Sequence, residues 1–332
     1  MECNKLPRVL SVTAESFPIA GTFTISRGSK TSAEVLTCTI RDGAFEGRGE
    51  CVPYGRYGES IASVHDQISA VAVDIAGGLD RHALQTAIPA GAARNAVDCA
   101  LWDLEAKESG RTVESLICPT RAVPLKTAYT LSLAEPDAMA AQARANAHRP
   151  LLKIKLGSDG DPERMAAVAE AAPASRVIVD ANEGWTLKTL QQNIDAAAKY
   201  RVALIEQPVP AGADETLRDV SRAVPLCADE SLHVIGDLER FVGLYDAVNI
   251  KLDKTGGLTA ALALRDRARE LGFSVMVGCR VGTSLAMAPA VLLAQGAEFV
   301  DLDGPLLLSR DREPALVYAG SLVSPPTADL WG

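Results

Sequence analysis

Residues 151–156, LLKIKL, place two lysines one residue apart inside a short apolar run. Along a strand side chains alternate, so Lys153 and Lys155 share one face and Ile154 takes the other. Two ammonium groups side by side in apolar surroundings are desolvated and repel each other. Both effects lower a lysine pKa toward that of a base working near neutral pH. The pair alone would also fit a half-exposed edge strand, and the sequence downstream decides between the two. Asp180 in VIVDAN, Glu206 in LIEQP, Asp229 in CADES, Lys251 in NIKLDKTGG, and Asp301 with Asp303 in FVDLDGP each close an apolar run. The steps from 153 to 180, 206, 229 and 251 are 27, 26, 23 and 22 residues, each about one β/α repeat. In a parallel barrel such groups converge at the C-terminal ends of successive strands.

Three carboxylates on adjacent strands make an oxygen-rich site for a hard cation with open positions, Mg2+ first and Mn2+ as its substitute. Any one of them could be a helix cap or a surface ion pair. Three in register with lysines on both sides favour a metal centre. Strands two and six lie four apart in an eight-stranded barrel, so Lys155 and Lys251 should face each other across its mouth. A substrate carboxylate on the metal would hold its α-carbon between them. One lysine would remove the α-proton while the metal stabilises the enediolate, and the other would return a proton on the opposite face. Lys153 would lower the pKa of Lys155 and help neutralise the enolate. A Schiff-base aldolase using one lysine would leave the carboxylates without a task, and a non-catalytic barrel would be expected to have lost a base or ligand.

The elements that position these groups follow from apolar periodicity. Strand-like runs at 9–14, 22–26 and 34–41, then helical spacing at 61–76 and 92–107, predict an α+β unit over residues 1–122. From 123 to 308, strand candidates at 125–131, 151–156, 177–180, 203–206, 226–229, 247–251, 274–278 and 299–303 alternate with alanine-rich helices, which predicts a parallel α/β barrel. Residues 309–332 are proline-containing and can return to the first unit. The chain of 332 residues is 48% hydrophobic, and its net charge of −9 argues against nucleic acid or an anionic membrane as partner. No apolar stretch reaches bilayer length, and MECNKLPRVL lacks a signal-peptide core, so a cytoplasmic location is expected. Seven scattered cysteines without a C-x-x-C pair read as buried thiols. Nothing in the composition opposes a homo-oligomer.

KIK at 153, VDAN at 179, EQP at 206, ADES at 228 and KLDKTGG at 251 together resemble the enolase superfamily, in its muconate-lactonizing subgroup. PYGRYGES, IPAGAARNAVDCALWDL, NIKLDKTGGLTAALAL and DLDGP are most similar to the dipeptide epimerase branch that acts on L-Ala-D/L-Glu. The resemblance implies a modified TIM barrel of (β/α)7β type with an N-terminal capping domain, whose loops RGSK (27–30) and PYGRYGES (53–60) close over the substrate. It implies Mg2+ on Asp180, Glu206 and Asp229, Lys155 and Lys251 as bases, Lys153 assisting, and Asp301 with Asp303 on the dipeptide's ammonium. Two carboxylates at a strand end with no lysine of their own suit that cation. They argue against the subgroup's cycloisomerases, o-succinylbenzoate synthases and N-acylamino acid racemases, whose substrates lack it. Interconversion of L-Ala-D-Glu and L-Ala-L-Glu in murein peptide recycling is the implied activity. An acidic second residue needs a cation, for which Arg27, Lys30, Arg56 and Arg280 are the candidates.

Overall fold

The inward column of each barrel strand explains both the core and the site above it. The computed structural model describes residues 7–157 and 159–332. Eight parallel strands, β5 (Tyr129–Leu131), β6 (Leu151–Lys155), β7 (Arg176–Asp180), β8 (Leu204–Glu206), β9 (Leu226–Ala228), β10 (Ala247–Ile250), β11 (Ser274–Gly278) and β12 (Phe299–Asp301), pair in sequence order. A backbone bond from Ala128 N to Val300 O at 2.8 Å brings the first and last strands together. Ala128, just ahead of β5, and one residue from each later strand, Leu151, Ile178, Leu204, Cys227, Ala247, Met276 and Phe299, form an apolar layer that plugs the lower barrel. Two residues further along, the same inward faces carry Thr130, Lys153, Asp180, Glu206, Asp229, Asn249, Gly278 and Asp301. Side-chain alternation thus stacks a polar layer directly on an apolar one.

The crossovers depart from uniform helices. After β8 and β9 the return runs through 3-10 turns, Asp214–Leu217 and Ile235–Phe241. Helix Ser284–Leu293 is apolar all round because nearly every one of its residues is buried. The expected single strand at 125–131 is two elements. Its first part, β4 (Leu125–Lys126), joins the C-terminal hairpin of β13 (Tyr318–Ala319) and β14 (Leu322–Val323), and the chain enters the barrel at β5. The tail then reaches the N-terminal unit, where Trp331 Nε1 donates to Cys99 O at 3.0 Å and Gly332 N to Asp103 at 2.8 Å.

The N-terminal unit is a meander of β1 (Val9–Ile25), β2 (Gly28–Asp42) and β3 (Phe45–Cys51) against helix Ala92–Ser109. The runs expected at 9–14 and 22–26 are one strand with a register irregularity between Pro18 and Phe23. RGSK is therefore the tip of a long hairpin, not a separate loop. The helical stretch at 61–76 breaks at Val71 into Ile61–Ala70, started by a Ser60 capping box, and Ala72–Ala76. Of the cysteines, 38, 51, 99 and 227 are buried and 118 and 279 half-buried; Cys3 lies outside the described residues. Among the described residues no helix is long and apolar enough to cross a membrane.

Two glycines set how closely the helix meets the sheet. A Cβ on Gly47 or Gly49 would collide with the backbone of Ala100 or Ala96, so neither position has room for a side chain. On the opposite side the same helix docks on the barrel. Arg94 donates to Thr255 O at 2.7 Å and Gly256 O at 3.1 Å, and Asn95 to Asp253 at 2.8 Å. Gly256 and Gly257, with φ of 77° and 108°, give the turn that Arg94 and Asp98 press against. Gly49→Ala should therefore destabilise the protein by about 2 kcal/mol or more through overpacking, read as a lowered thermal midpoint. Gly43→Ala, at a turn with open space, should cost less.

Candidate active site

Register brings the charged groups side by side. Lys155 lies opposite Asp180 and Asp180 opposite Glu206, while Asp229 follows Cys227, the partner of Glu206, by two residues. One oxygen from each of Asp180, Glu206 and Asp229 lies within 4.8 Å of the others, and all three residues are buried. Such crowding needs cations, and lysines supply them. Lys155 Nζ meets Asp180 Oδ2 at 2.6 Å, and Lys251 Nζ meets Asp229 Oδ2 at 2.6 Å. Lys153 Nζ lies 2.5 Å from Glu206, 2.8 Å from Asp301 and 3.2 Å from Asp180.

Burial alone would push all three carboxyls up. For Asp180 the charges of Lys155 and Lys153 outweigh it, and for Asp229 those of Lys251, Lys254 and Lys153, so both are held below the usual range. Glu206 goes the other way, to about 8, through burial and then the neighbouring Asp180 charge. Despite Lys153 standing 2.5 Å away, the buried Glu206 Oε2 has no hydrogen bond, because the approach is poorly directed. An all-carboxylate donor set with one unsatisfied buried oxygen fits a hard divalent cation. Such a cation would compete with Lys155 and Lys251 for the same oxygens.

A cavity of about 420 Å3 opens above this floor, between the barrel mouth and the tips of the N-terminal unit. Lys155, Lys251, Asp229, Asp301, Asp303, Arg27, Lys30, Arg56 and Arg280 all line it. Lys153 does not: its side chain is 1% exposed, against 10% for Lys155 and 13% for Lys251. It neutralises Glu206, Asp180 and Asp301 from beneath. Burial would lower its pKa, but Asp301, Glu206 and Asp180 hold it well above the ordinary lysine value, opposite to the shift expected from the sequence. Lys251 is raised likewise, burial being outweighed by Asp229 and Glu206.

The expectation that Asp301 and Asp303 have no lysine also needs correction, since Lys153 from β6 reaches Asp301 Oδ2. Asp301 Oδ1 remains buried without a partner. Asp303, past the end of β12, accepts from Thr130 N at 2.6 Å. Burial and then the Asp301 charge raise it to about 7.

Two of the loop cations are tied to barrel carboxylates. Arg27 binds Glu230 at 2.6 Å, Glu183 at 3.1 Å, Tyr54 Oη at 2.9 Å and Asn182 O at 2.8 Å. Arg56 makes two bonds to Glu183, at 3.0 and 2.8 Å. They latch the hairpin tip and the 53–60 segment onto the loops after β7 and β9.

Several positioning residues escape a sequence reading centred on charge. Lys254 donates to Asp229 Oδ1 at 2.5 Å and to Asn249 O at 3.0 Å; its spacing of three from Lys251 was the available signal. Asn249, inward between Ala247 and Lys251, donates to Glu206 Oε1 at 2.7 Å, in space that Gly278 leaves open. Gln207, at φ 36°, accepts from Asp229 N at 2.8 Å and Ser231 N at 3.1 Å. With Asn182 and Glu183 it places a cluster of positive-φ residues at the barrel mouth, where backbone strain serves a site.

Comparisons with known proteins agree with this geometry. Residues 8–118 match the mandelate racemase / muconate lactonizing enzyme N-terminal domain, and residues 138–323 the enolase C-terminal domain-like family. An N-acetyl-D-glutamate racemase from Pseudoalteromonas sp is 48% identical over 300 residues, 90% of this chain and 95% of its own. The L-Ala-D/L-Glu epimerase of Escherichia coli (strain K12) is 45% identical over 313 residues, 94% of this chain and 98% of its own. A solved enolase family member from Agrobacterium tumefaciens, described as homologous to dipeptide epimerases and holding sodium and L-Ala-L-Glu, is 58% identical. It superposes with a TM-score of 0.97 over 98% of this chain and 100% of its own. With both domains matched and the barrel's carboxylates and lysines in order, the chain belongs to the mandelate racemase / muconate lactonizing enzyme family of the enolase superfamily.

Proposed function

We propose that this protein is a metal-dependent dipeptide epimerase that interconverts L-Ala-D-Glu and L-Ala-L-Glu by 1,1-proton transfer. The observation that carries this reading is the pair Lys155 and Lys251, four strands apart, lining one cavity over the buried carboxylate cluster. The relatives named as an L-Ala-D/L-Glu epimerase and an N-acetyl-D-glutamate racemase support an isomerase of glutamate derivatives.

Asp180, Glu206 and Asp229 would hold Mg2+, for which Mn2+ has the same donor preference. When bound, the ion supplies positive charge to the substrate's α-carboxylate, making the α-proton more acidic. Lys155 or Lys251, as the free amine, takes that proton from its own side, and the electron pair spreads into the carboxylate. The lysine opposite, as ammonium, delivers a proton to the other side of the α-carbon. The two exchange roles for the reverse direction. Lys153, closed off beneath the cavity, opposes the upward shift of Glu206 and holds Asp301 by a hydrogen bond. Each positioned base contributes about 10²–10⁴-fold.

Racemisation of N-acetylglutamate would use the same bases without a free ammonium. The orphaned Asp301 oxygen and the cavity-lining Asp303 favour the dipeptide, because a cationic ligand would satisfy both. Proton NMR of L-Ala-L-Glu in D2O with enzyme and Mg2+ tests this. The Glu α-proton signal should disappear as the L,D diastereomer grows, EDTA should stop both, and added Mg2+ should restore them. Faster exchange of N-acetylglutamate than of the dipeptide would transfer the assignment to the second reading. Asp303→Asn should raise KM for L-Ala-L-Glu by about 10-fold or more while affecting N-acetylglutamate less. Glu206→Gln should weaken Mg2+ binding by at least ~10-fold in calorimetry, independently of turnover.

A further inference from the structure

The cations available to an acidic substrate side chain are not equivalent. Arg27 and Arg56 have spent their guanidinium groups on Glu230 and Glu183, as described above. Arg280, in the loop after β11, has not. Its Nη1 donates to Val52 O at 2.7 Å, with Glu59 at 3.6 Å, while its buried Nη2 has no hydrogen-bond partner. Neither Nε nor Nη2 donates to any described residue, so the Nε/Nη2 edge has no protein acceptor. That edge can take a carboxylate through two parallel bonds.

The surroundings hold the group in place without satisfying it. The Tyr54 and Tyr57 rings lie 4.3 and 5.2 Å from its centre. The nearby carboxylates are committed: Glu59 to the amides of Tyr54 and Ala92, Asp253 to Asn95 and the amide of Val52. Arg280 lines the cavity with a side chain only 10% exposed, so its unused donors are desolvated. An unsatisfied buried donor is unfavourable until a ligand fills it. Lys30 lines the same cavity 5.6 Å from the Tyr54 ring and pairs with no described carboxylate. Lys30 and Arg280 stand over the same Tyr54 ring, 5.6 and 4.3 Å from its centre, which makes them neighbours, and burial and then Arg280's charge lower the Lys30 pKa.

We propose that Arg280, with Lys30 beside it, binds the side-chain carboxylate of the reacting residue and so selects acidic substrates, whereas Arg27 and Arg56 hold the cavity closed. This rests on the reading of the site as one that acts on glutamate derivatives. Arg280 is thus a specificity residue and takes no part in moving the proton.

The test compares L-Ala-L-Glu with its neutral isostere L-Ala-L-Gln in Mg2+-loaded enzyme, by turnover and by calorimetric binding. Arg280→Gln should lower kcat/KM for the Glu dipeptide about 10- to 100-fold, mainly through KM, and leave the Gln dipeptide within about threefold. Lys30→Gln should do the same more weakly. Arg27→Gln should lower both substrates by one common factor. Arg280→Lys, which keeps charge but not the fork, should fall between and covers the case in which the glutamine variant misfolds. Equal losses on both dipeptides, or Glu-over-Gln discrimination surviving in Arg280→Gln, would overturn the proposal. A wild-type protein that turns over neither dipeptide yet binds Glu over Gln through Arg280 would sink the epimerase reading and keep this one. An active enzyme whose discrimination ignores Arg280 would do the reverse.

Discussion

Three carboxylates packed within 4.8 Å in a buried site set the terms for everything around them. Asp180, Glu206, Asp229 and Asp301 are matched by the ammonium groups of Lys153, Lys155, Lys251 and Lys254. Buried charges persist only when paired and hydrogen-bonded, so these groups are mutually dependent. The balance is uneven, with Asp180 and Asp229 kept ionised and Glu206 pushed upward. The residue with the least satisfied charge is also the central member of the cluster, where a divalent cation relieves most strain.

The fold supplies that arrangement through one geometric rule. Inward alternation in a closed parallel barrel stacks a polar layer on an apolar plug, and the polar layer faces the cavity at the barrel mouth. The N-terminal unit finishes the site from above. Its helix Ala92–Ser109 is fixed to the barrel by Arg94 and Asn95, and its hairpin tip is held by Arg27 on Glu230 and Glu183. A substrate would therefore meet a floor of carboxylates, lysine walls and a roof joined to the floor by ion pairs.

Much of this was legible in the sequence because the chemistry sits where strand periodicity ends. Asp180, Glu206, Asp229 and Lys251 each close an apolar run at one β/α spacing, which is a local signal. What the sequence hid was pairing across long separations. Lys153 finds Asp301 across 148 positions, so neither the raised pKa of that lysine nor the partial neutralisation of that aspartate could be read locally. Arg27 and Glu230 are 203 positions apart, and a basic hairpin tip looks the same whether it binds a ligand or its own barrel. The division of 125–131 depended on a C-terminal hairpin that pairs with half of it. Gln207 and Asn249 are uncharged, so a search for titratable groups passed over the residues that position Asp229 and Glu206.

The central claim is that two lysines serve opposite sides of one carbon. Lys155→Ala and Lys251→Ala should each be incubated in D2O with L-Ala-L-Glu and, separately, with L-Ala-D-Glu, following α-proton exchange by NMR. The account predicts that each variant loses epimerisation but still exchanges the α-proton of one diastereomer, and that the two variants retain opposite diastereomers. Exchange of both diastereomers by either variant, or retention of the same one by both, would contradict it.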